Sequence, residues 1–293
     1  MSKNTYHIMY NPLANRTKAG GAAEALARLT ACLDEAGQSY VVHKSNAQGQ
    51  ITQFVRALQM PCYIVIVGGD GTIFEAINGL EAGNSATIGI IPAGTGNDIA
   101  RMLSIPKDID AAVKILLQGR TINADAALIN GRLKSALFAS YGIAADIVLG
   151  MAELRKKTAF SYFTTLLRRV IGYKPKSITI RLNGDESTYN ADFLSAHNCI
   201  CAGGGMHLAH NAKMDDGKLD LVIVEYKGFG RRIANIISIL TKKLYKQPNF
   251  KTIPFEGIEI ISPNEYQCVI DGEIMEYGRL EIQVLPRFVK IIC

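Results

Sequence analysis

Two glycine-rich turns carry the residues best suited to chemistry. The first, Gly68-Gly69-Asp70-Gly71-Thr72, follows an apolar β-branched run at 63–67 and precedes a segment with helical spacing. Glycines there let backbone N–H groups approach an anion, and a helix N-terminus adds positive dipole. Because Asp70 would repel a phosphate unless a cation lay between them, the turn indicates a nucleotide phosphate with a divalent metal. An ordinary tight turn capped by Asp70 is the structural alternative.

A second turn of the same kind, Gly94-Thr95-Gly96-Asn97-Asp98, follows the apolar segment 88–92 and opens another helical segment. Thr95 and Asn97 offer neutral hydrogen bonds, and Asp98 offers charge. Two such turns on one sheet edge could face each other across a substrate. A plain helix N-cap is the alternative for Asp98.

Two further segments carry charge near predicted strand ends. Asp271-Gly272-Glu273 follows a β segment near the C-terminus and, taken alone, favours a hairpin turn with solvated acids. The loop after Asn11 contains Arg16 and Lys18, which could contact phosphate. A solvated basic loop accounts for that segment equally well.

The elements that must position these residues fall into two groups. Residues 1–126 alternate strand and helix, which predicts a parallel sheet with helices on both sides and ligands at the carboxyl ends of its strands. Residues 127–286 read as a second domain, an antiparallel β-sandwich of short alternating segments with hairpin signals at Asn130-Gly131 and Asn183-Gly184. A last strand within 287–293 has no assigned partner and is free to return to the first domain.

Two predicted helical insertions interrupt the second domain, at about 147–172 and 230–245. Both combine basic and apolar residues, which suits contact with an anionic membrane surface. A helix that packs its apolar side on the sandwich is the alternative for each.

Composition narrows the class of protein. The chain has 293 residues, 48% of them hydrophobic, a net charge of +6, and six cysteines. We see no CxxC pair, no apolar run of the ~20 residues that span a bilayer, and no aromatic-basic array for nucleic acid. We expect a cytoplasmic protein, peripherally associated with membrane, that binds no nucleic acid and could form a homodimer.

Three motifs together resemble the diacylglycerol kinase catalytic family, and its bacterial soluble lipid kinases are the best match. They are the turn at 68–72, the turn at 94–98, and Ile270-Asp271-Gly272-Glu273. Asp125 with Asn130, and the segment 214–220, add to the resemblance. It implies an N-terminal Rossmann-like domain similar to those of NAD kinases and phosphofructokinases. It also implies an ATP-dependent lipid kinase that transfers the γ-phosphate to the hydroxyl of diacylglycerol or a related lipid in the interdomain cleft.

The resemblance also implies residue roles. Glu273 would be the general base, while Asp70 and Asp98 would organise a catalytic Mg²⁺. A structural Mg²⁺ would be held by the Asp216 side chain and the carbonyls of Lys213 and Lys218. The implied nucleotide contacts are Asn11, Arg16, Lys18, Ser45, Gly68, Gly69, Asp70, Gly71, Thr72, Thr95, Asn97 and Asp125. The chain departs from the family at Ser45, where threonine is usual, and in the loop after Asn11, whose glycines are delayed to Gly20-Gly21.

Two other functions fit part of the pattern. A kinase of a small soluble alcohol, close to NAD kinase in chemistry, accounts for the first turn but not for the second turn and Glu273 together. A nucleotide-binding regulator without catalysis fits less well, because all the expected acids are present.

Overall fold

The first half of the chain forms a parallel sheet. The computed structural model describes residues 5–12, 21–152 and 159–293. The strands pair in the order β2-β1-β3-β4, all parallel, so their carboxyl ends lie at one edge. The elements are β1 (Thr5–Tyr10), α1 (Gly21–Glu35), β2 (Ser39–Lys44), α2 (Gln50–Arg56), β3 (Tyr63–Gly68), α3 (Asp70–Gly79), β4 (Thr87–Pro92), α4 (Asp98–Met102) and α5 (Ile109–Gln118).

Burial explains why this sheet forms. Ile64, Val65 and Ile66 of β3 are fully buried, as a strand covered on both faces requires. Gly89 of β4 is needed for close packing, because a Cβ there would lie 2.3 Å from Cδ1 of Leu116 on α5. The predicted alternation of strand and helix is therefore what the chain builds in this half.

The second half is rich in antiparallel strands. Its elements are β5 (Thr121–Ile129), β6 (Leu133–Ser135), β7 (Phe138–Gly142), α6 (Ile143–Ala152), α7 (Ala159–Gly172), β8 (Lys176–Leu182), β9 (Asp185–His197), β10 (Cys201–Ala202), β11 (Met206–His207), β12 (Leu219–Glu225), α8 (Phe229–Leu240), a 3₁₀ turn (Leu244–Lys246), β13 (Phe250–Phe255), β14 (Gly257–Ile270) and β15 (Glu273–Ile292). Within the described residues these strands, except the β10–β11 pair, join the parallel strands in one 13-stranded sheet.

The two halves are joined by β5 and β15. These strands pair from Ile129 with Ile282 to Thr121 with Ile292. The end of β15 also runs parallel to β4, through Lys290 opposite Thr87 and Ile291 opposite Ile88. This pairing supplies the partner that the sequence left open for the last strand.

Asp125 stabilises this junction. Its buried carboxylate accepts hydrogen bonds from the backbone N–H groups of Gly217 and Arg287, each at 2.7 Å. Arg287 has a φ of 52° and lies where the β5–β15 register shifts. The register shift at Arg287 is a β-bulge, and Gly217 lies in the turn formed by residues 213–218. By accepting from both N–H groups, the Asp125 carboxylate holds the bulge and this turn together.

The helical insertions lie against the antiparallel part of the sheet. Helix α6 begins at Ile143, four residues before the predicted start, and α8 ends at Leu240, before the predicted end at 245. Arg232 of α8 is buried and donates to the carbonyls of Val170 and Tyr173 at the end of α7. None of the described helices combines the length and apolarity needed to cross a lipid bilayer.

Candidate active site

The two glycine turns are in direct backbone contact. A Cβ built on Gly94 would lie 2.4 Å from Cα of Gly69, and one on Gly69 would lie 2.8 Å from Cα of Gly94. The Ala93 N–H donates to the Gly68 carbonyl at 2.8 Å. The Asn97 side chain closes the second turn, accepting from the Gly94 N–H at 3.0 Å and donating to the Gly94 carbonyl at 2.8 Å. Glycine is therefore required at 69 and 94 for the turns to meet.

Gly94→Ala is expected to force the two turns apart, because the new methyl group would meet the backbone of the first turn. We expect a loss of about 1–3 kcal/mol in the free energy of unfolding, the cost typical of overpacking. Gly71→Ala is the matched control for folding, because a Cβ on Gly71 would point into open space, with no neighbouring atom within 4 Å. Urea denaturation compares the two; equal midpoints would show that the turns are not in contact.

Asp70 connects the first turn to the second. Its carboxylate accepts hydrogen bonds from the backbone N–H groups of Asp98 at 3.1 Å and Ile99 at 3.3 Å, at the start of α4. Burial raises the pKa of Asp70, these hydrogen bonds lower it, and the nearby Asp98 charge raises it. A cation beside this carboxylate would offset both the cost of burying its charge and its repulsion by Asp98.

Asp98 occupies a different place from the one expected. Asp98 as a whole is 2% exposed and does not line the cavity described below. One carboxylate oxygen accepts from the Gly204 N–H at 2.7 Å, and the other pairs with Arg101, which also donates to the Gly96 carbonyl at 3.0 Å. Each oxygen therefore has a partner within the protein, and Asp98 holds the second turn in place; its expected metal-organising role stays a prediction.

Glu273 follows a tight hairpin turn between β14 and β15. Asp271 and Gly272 have φ values of 50° and 95°, as the two central residues of a type I′ turn require. Ile270 pairs with Glu273 across this turn. The expected hairpin is present, but only one of its acids is solvated.

Asp271 is buried and anchors the turn. Its carboxylate accepts from the Ser135 hydroxyl at 2.6 Å and from three backbone N–H groups at 2.8 to 3.1 Å, those of Ala136, Leu137 and Phe138. Burial raises its pKa to about 6, and the hydrogen bonds act in the opposite direction. All four partners donate to Asp271, and these contacts fix the position of Glu273 relative to the 135–138 segment.

Asp271→Asn is expected to destabilise the protein by about 1–3 kcal/mol, because an amide group would turn a donor toward backbone donors. We also expect lower activity, since Glu273 loses its anchored turn. Asp185→Asn is the control, because Asp185 is exposed directly after the Asn183-Gly184 turn. Thermal unfolding and activity of both variants test this; an unchanged melting temperature for Asp271→Asn would contradict it.

Asp70 and Glu273 line one cavity of about 560 Å³ at the carboxyl edge of the parallel strands. The Gln48 side chain donates to the Glu273 carboxylate at 3.3 Å, which links the two halves of the chain across the opening. The expected nucleotide contacts that line this cavity are Asn11, Ser45, Gly69, Asp70, Gly71, Thr72 and Thr95.

The other expected site residues do not line the cavity. Gly68 and Asn97 belong to the two turns but do not line the cavity, and Asp125 lies at the sheet junction, so their expected nucleotide contacts stay predictions. The expected structural-metal residues lie in the turn before β12, where the Asp216 carboxylate is exposed and accepts from the Lys218 N–H at 3.1 Å. Arg16 and Lys18 lie outside the described residues.

Some lining residues were not assigned from the sequence: Ala47, Gln48, Glu75, Gly94 and Gly96. Gln48 follows Ser45 at the end of β2, so its place on the ligand edge could have been inferred from the parallel-strand rule. Glu75 accepts from the Ile51 N–H at 3.2 Å and so caps α2. That contact joins α2 and α3, so the sequence near Glu75 does not indicate it.

Family models match most of the chain. A diacylglycerol kinase catalytic domain matches residues 5–129, and a YegS C-terminal NAD kinase beta sandwich-like domain matches residues 139–293. A Yersinia enterocolitica protein described as "Probable lipid kinase YegS-like" is 31% identical over 232 residues, which cover 78% of this chain and 77% of that protein. The chain belongs to the YegS-like lipid kinase family. The resemblance carried by the three motifs is therefore confirmed.

Other YegS-like lipid kinases and their relatives match over similar lengths. A Shigella flexneri protein described as "Probable lipid kinase YegS" is 30% identical over 263 residues, covering 87% of this chain and 86% of its own. A Staphylococcus epidermidis diacylglycerol kinase is 27% identical and covers 82% of this chain and 78% of its own. The crystal structure of a Bacillus anthracis diacylglycerol kinase superposes with a TM-score of 0.73 at 21% identity, covering 99% and 96% of the two chains. This last likeness shows the shared fold.

The site of this YegS-like kinase suits Mg²⁺ when a phosphate is bound beside Asp70. Among the described residues no three His, Cys, Asp or Glu side chains are grouped as ligands for a metal. Asp70 is the carboxylate that the glycine turns present to the cavity. Mg²⁺ typically binds one or two carboxylates and completes its shell with substrate phosphates and water, so Asp70 fits it only together with a phosphate ligand.

Proposed function

We propose that the protein is an ATP-dependent lipid kinase that transfers the γ-phosphate to the hydroxyl of diacylglycerol or a related lipid. The observation that carries this is the cavity lined by both Asp70 and Glu273, which are 203 residues apart in the chain. Its volume of about 560 Å³ is in the range of small-molecule sites. The names of the relatives support the lipid acceptor.

Each residue has a role in the proposed reaction. Backbone N–H groups of the 68–72 turn bind phosphate oxygens, assisted by the N-terminus of α3. Asp70 holds the divalent cation, and bound Mg²⁺ would neutralise phosphate charge. Glu273 accepts the proton of the lipid hydroxyl. At the same time the hydroxyl oxygen forms a bond to the γ-phosphorus, and the bond between that phosphorus and the leaving ADP oxygen breaks. Asp98 is a positioning residue that holds the second turn through Gly204.

The 213–218 turn is a second proposed Mg²⁺ position. Its exposed Asp216 carboxylate would supply the charged ligand, and the carbonyls of Lys213 and Lys218 would supply neutral ones. Asp125 already orders this turn through the Gly217 N–H. Mg²⁺ should raise the melting temperature of the wild-type protein more than that of Asp216→Ala; equal increases would remove this site.

Peripheral contact with an anionic membrane would bring the acceptor to the site. On α8 the side chains of Ile237 and Leu240 are 56% and 75% exposed, and the exposed Lys242 and Lys243 follow directly. Apolar side chains beside cations match the chemistry of an anionic lipid surface. Ile239 of the same helix packs against the sheet, so the packing role and the proposed membrane contact use different side chains of α8.

The test is phosphate transfer from γ-labelled ATP to a panel of dispersed diacylglycerol, monoacylglycerol, ceramide, sphingosine and phosphatidylglycerol, with NAD as a soluble acceptor. We expect label in at least one lipid, no label in NAD, and no transfer by Glu273→Ala. Label in NAD with none in any lipid would favour the soluble-alcohol alternative and overturn the proposal.

A further inference from the structure

One wall of the cavity of about 560 Å³ is a short loop, residues 45–50, between β2 and the first turn of α2. Ser45, Ala47 and Gln48 of this loop line the cavity, together with the two glycine turns. A nucleotide bound in this cavity would contact both the loop and the turns. The position of the loop relative to the turns therefore affects how well the nucleotide fits.

The loop is ordered largely by contacts within itself. The Gln50 side chain accepts from the backbone N–H groups of Asn46 at 2.6 Å and Ala47 at 3.3 Å. The Ser45 hydroxyl donates to the Ala47 carbonyl at 3.0 Å. At the start of the loop, the Ser45 N–H donates to the Tyr10 carbonyl at 2.9 Å, at the end of β1. The loop is therefore one ordered unit that is attached to the sheet at its first residue.

The far end of the loop, where α2 begins, depends on another helix. The N-cap of α2 is Gly49, which has a φ of 82° and no side chain that could accept from the first N–H groups of the helix. Glu75 of α3 supplies the missing acceptor, because its Oε2 accepts from the Ile51 N–H at 3.2 Å. Glu75 also lines the cavity. One carboxylate thus joins the end of the loop to the helix that follows the first glycine turn.

Helix α3 is held independently of this carboxylate. The Asn78 side chain accepts from the Lys134 N–H and donates to the Lys134 carbonyl, both at 2.8 Å, which ties α3 to β6. The Thr52 hydroxyl donates to the Glu75 backbone carbonyl at 2.8 Å. A Cβ on Gly79 would lie 2.7 Å from the Thr52 carbonyl oxygen, so α2 and α3 pack closely there. Loss of the Glu75 carboxylate would therefore release the loop and leave the two helices packed.

We propose that Glu75 is a positioning residue that sets the affinity for ATP by holding the 45–50 loop at the cavity. The proposal rests on the kinase function proposed above. The role needs an acceptor oxygen for one N–H group and does not need a negative charge, so it differs from the cation role of Asp70. Glu273 is held separately by the Asp271 hairpin. The chemical step should therefore be affected much less than nucleotide binding when the Glu75 carboxylate is lost.

Binding of methylanthraniloyl-labelled AMP-PNP with Mg²⁺ tests this role. In Glu75→Ala the Kd should rise at least about tenfold, because the loop must then be ordered when the nucleotide binds. Glu75→Met, which has a side chain of similar length without an oxygen, should show the same loss. Glu75→Gln keeps an acceptor oxygen for the Ile51 N–H and should restore most of the affinity. In lipid phosphorylation by Glu75→Ala, KM for ATP should rise about tenfold and kcat should fall by less than about threefold.

Thr52→Val is the matched control. Thr52 joins the same two helices through its hydroxyl and does not line the cavity. This variant should lose thermal stability to about the same extent as Glu75→Ala, and it should bind the labelled nucleotide with wild-type affinity. The comparison separates positioning of the loop from a general loss of contact between α2 and α3.

The outcomes separate this role from the kinase function. Wild-type affinity in Glu75→Ala, or an equal loss of affinity in Thr52→Val, would overturn the positioning role. Equally weak binding by Glu75→Gln and Glu75→Ala would also overturn it, because the charge of the carboxylate would then be what matters. With any of these results, a wild-type protein that phosphorylates lipid still has the kinase function. A wild-type protein that does not bind the labelled nucleotide would overturn both proposals.

Discussion

Glu273→Gln is expected to lower kcat for lipid phosphorylation by roughly a thousandfold, within the range known for general acid–base residues. Glutamine has the same shape and can still pair with the Gln48 amide, which now contacts Glu273 at 3.3 Å. It cannot accept the proton of the lipid hydroxyl. Because only the proton transfer is lost, KM for ATP and the melting temperature should stay close to the wild-type values.

Steady-state kinetics with labelled ATP measures this effect. Glu276→Gln is the control, because Glu276 is an exposed acid three residues further along β15 that pairs with Gln267 outside the cavity. Its kcat should be unchanged. If Glu273→Gln kept more than about a tenth of wild-type kcat, the residue would not be the general base.

Asp70→Asn is expected to reduce kcat by about a hundredfold or more, and to shift the Mg²⁺ dependence to higher concentration. The variant loses the negative charge that the glycine turns bring to the cavity, which is the charge that would hold a cation against phosphate. The N–H groups of Asp98 and Ile99 bind different oxygens of Asp70, so asparagine keeps an acceptor for one of them and loses the other. The cost to folding should therefore be about 1 kcal/mol.

Asp108→Asn is the control for Asp70→Asn, because it measures how much stability is lost when a carboxylate that binds helix N–H groups is replaced. Asp108 caps α5 through the Ala111 N–H at 2.9 Å and does not line the cavity. Both variants alter a carboxylate at a helix start, so a similar small loss of stability is expected. Only Asp70→Asn should change the Mg²⁺ titration of activity, and identical Mg²⁺ titrations for Asp70→Asn and the wild type would rule out the cation role.

Local patterns predicted the parts of the molecule that are set by near neighbours in sequence. The run at 63–67 and the glycines after it predicted the strand and turn that present Asp70, because backbone burial and glycine conformations are local properties. The Ile270–Glu273 hairpin followed from the same reasoning. The contact between Gly69 and Gly94 was only suggested, through the rule that parallel strands end at one edge.

Side-chain roles that depend on distant partners could not be predicted. The acid at 98 has a partner that the sequence did not indicate, the Gly204 N–H, more than a hundred residues later. The acid at 125 likewise accepts from the N–H groups of Gly217 and Arg287 at the sheet junction, contacts that its local sequence did not indicate. Both carboxylates are buried, and sequence spacing reports neither burial nor partners so distant in the chain.

The most direct measurement is a crystal structure with Mg²⁺ and a non-hydrolysable ATP analogue. We predict that the terminal phosphate lies between the 68–72 turn and Glu273, in the cavity of about 560 Å³, with the cation on Asp70. A nucleotide bound away from the two glycine turns, or a Glu273 carboxylate pointing out of that cavity, would contradict the proposed phosphate transfer.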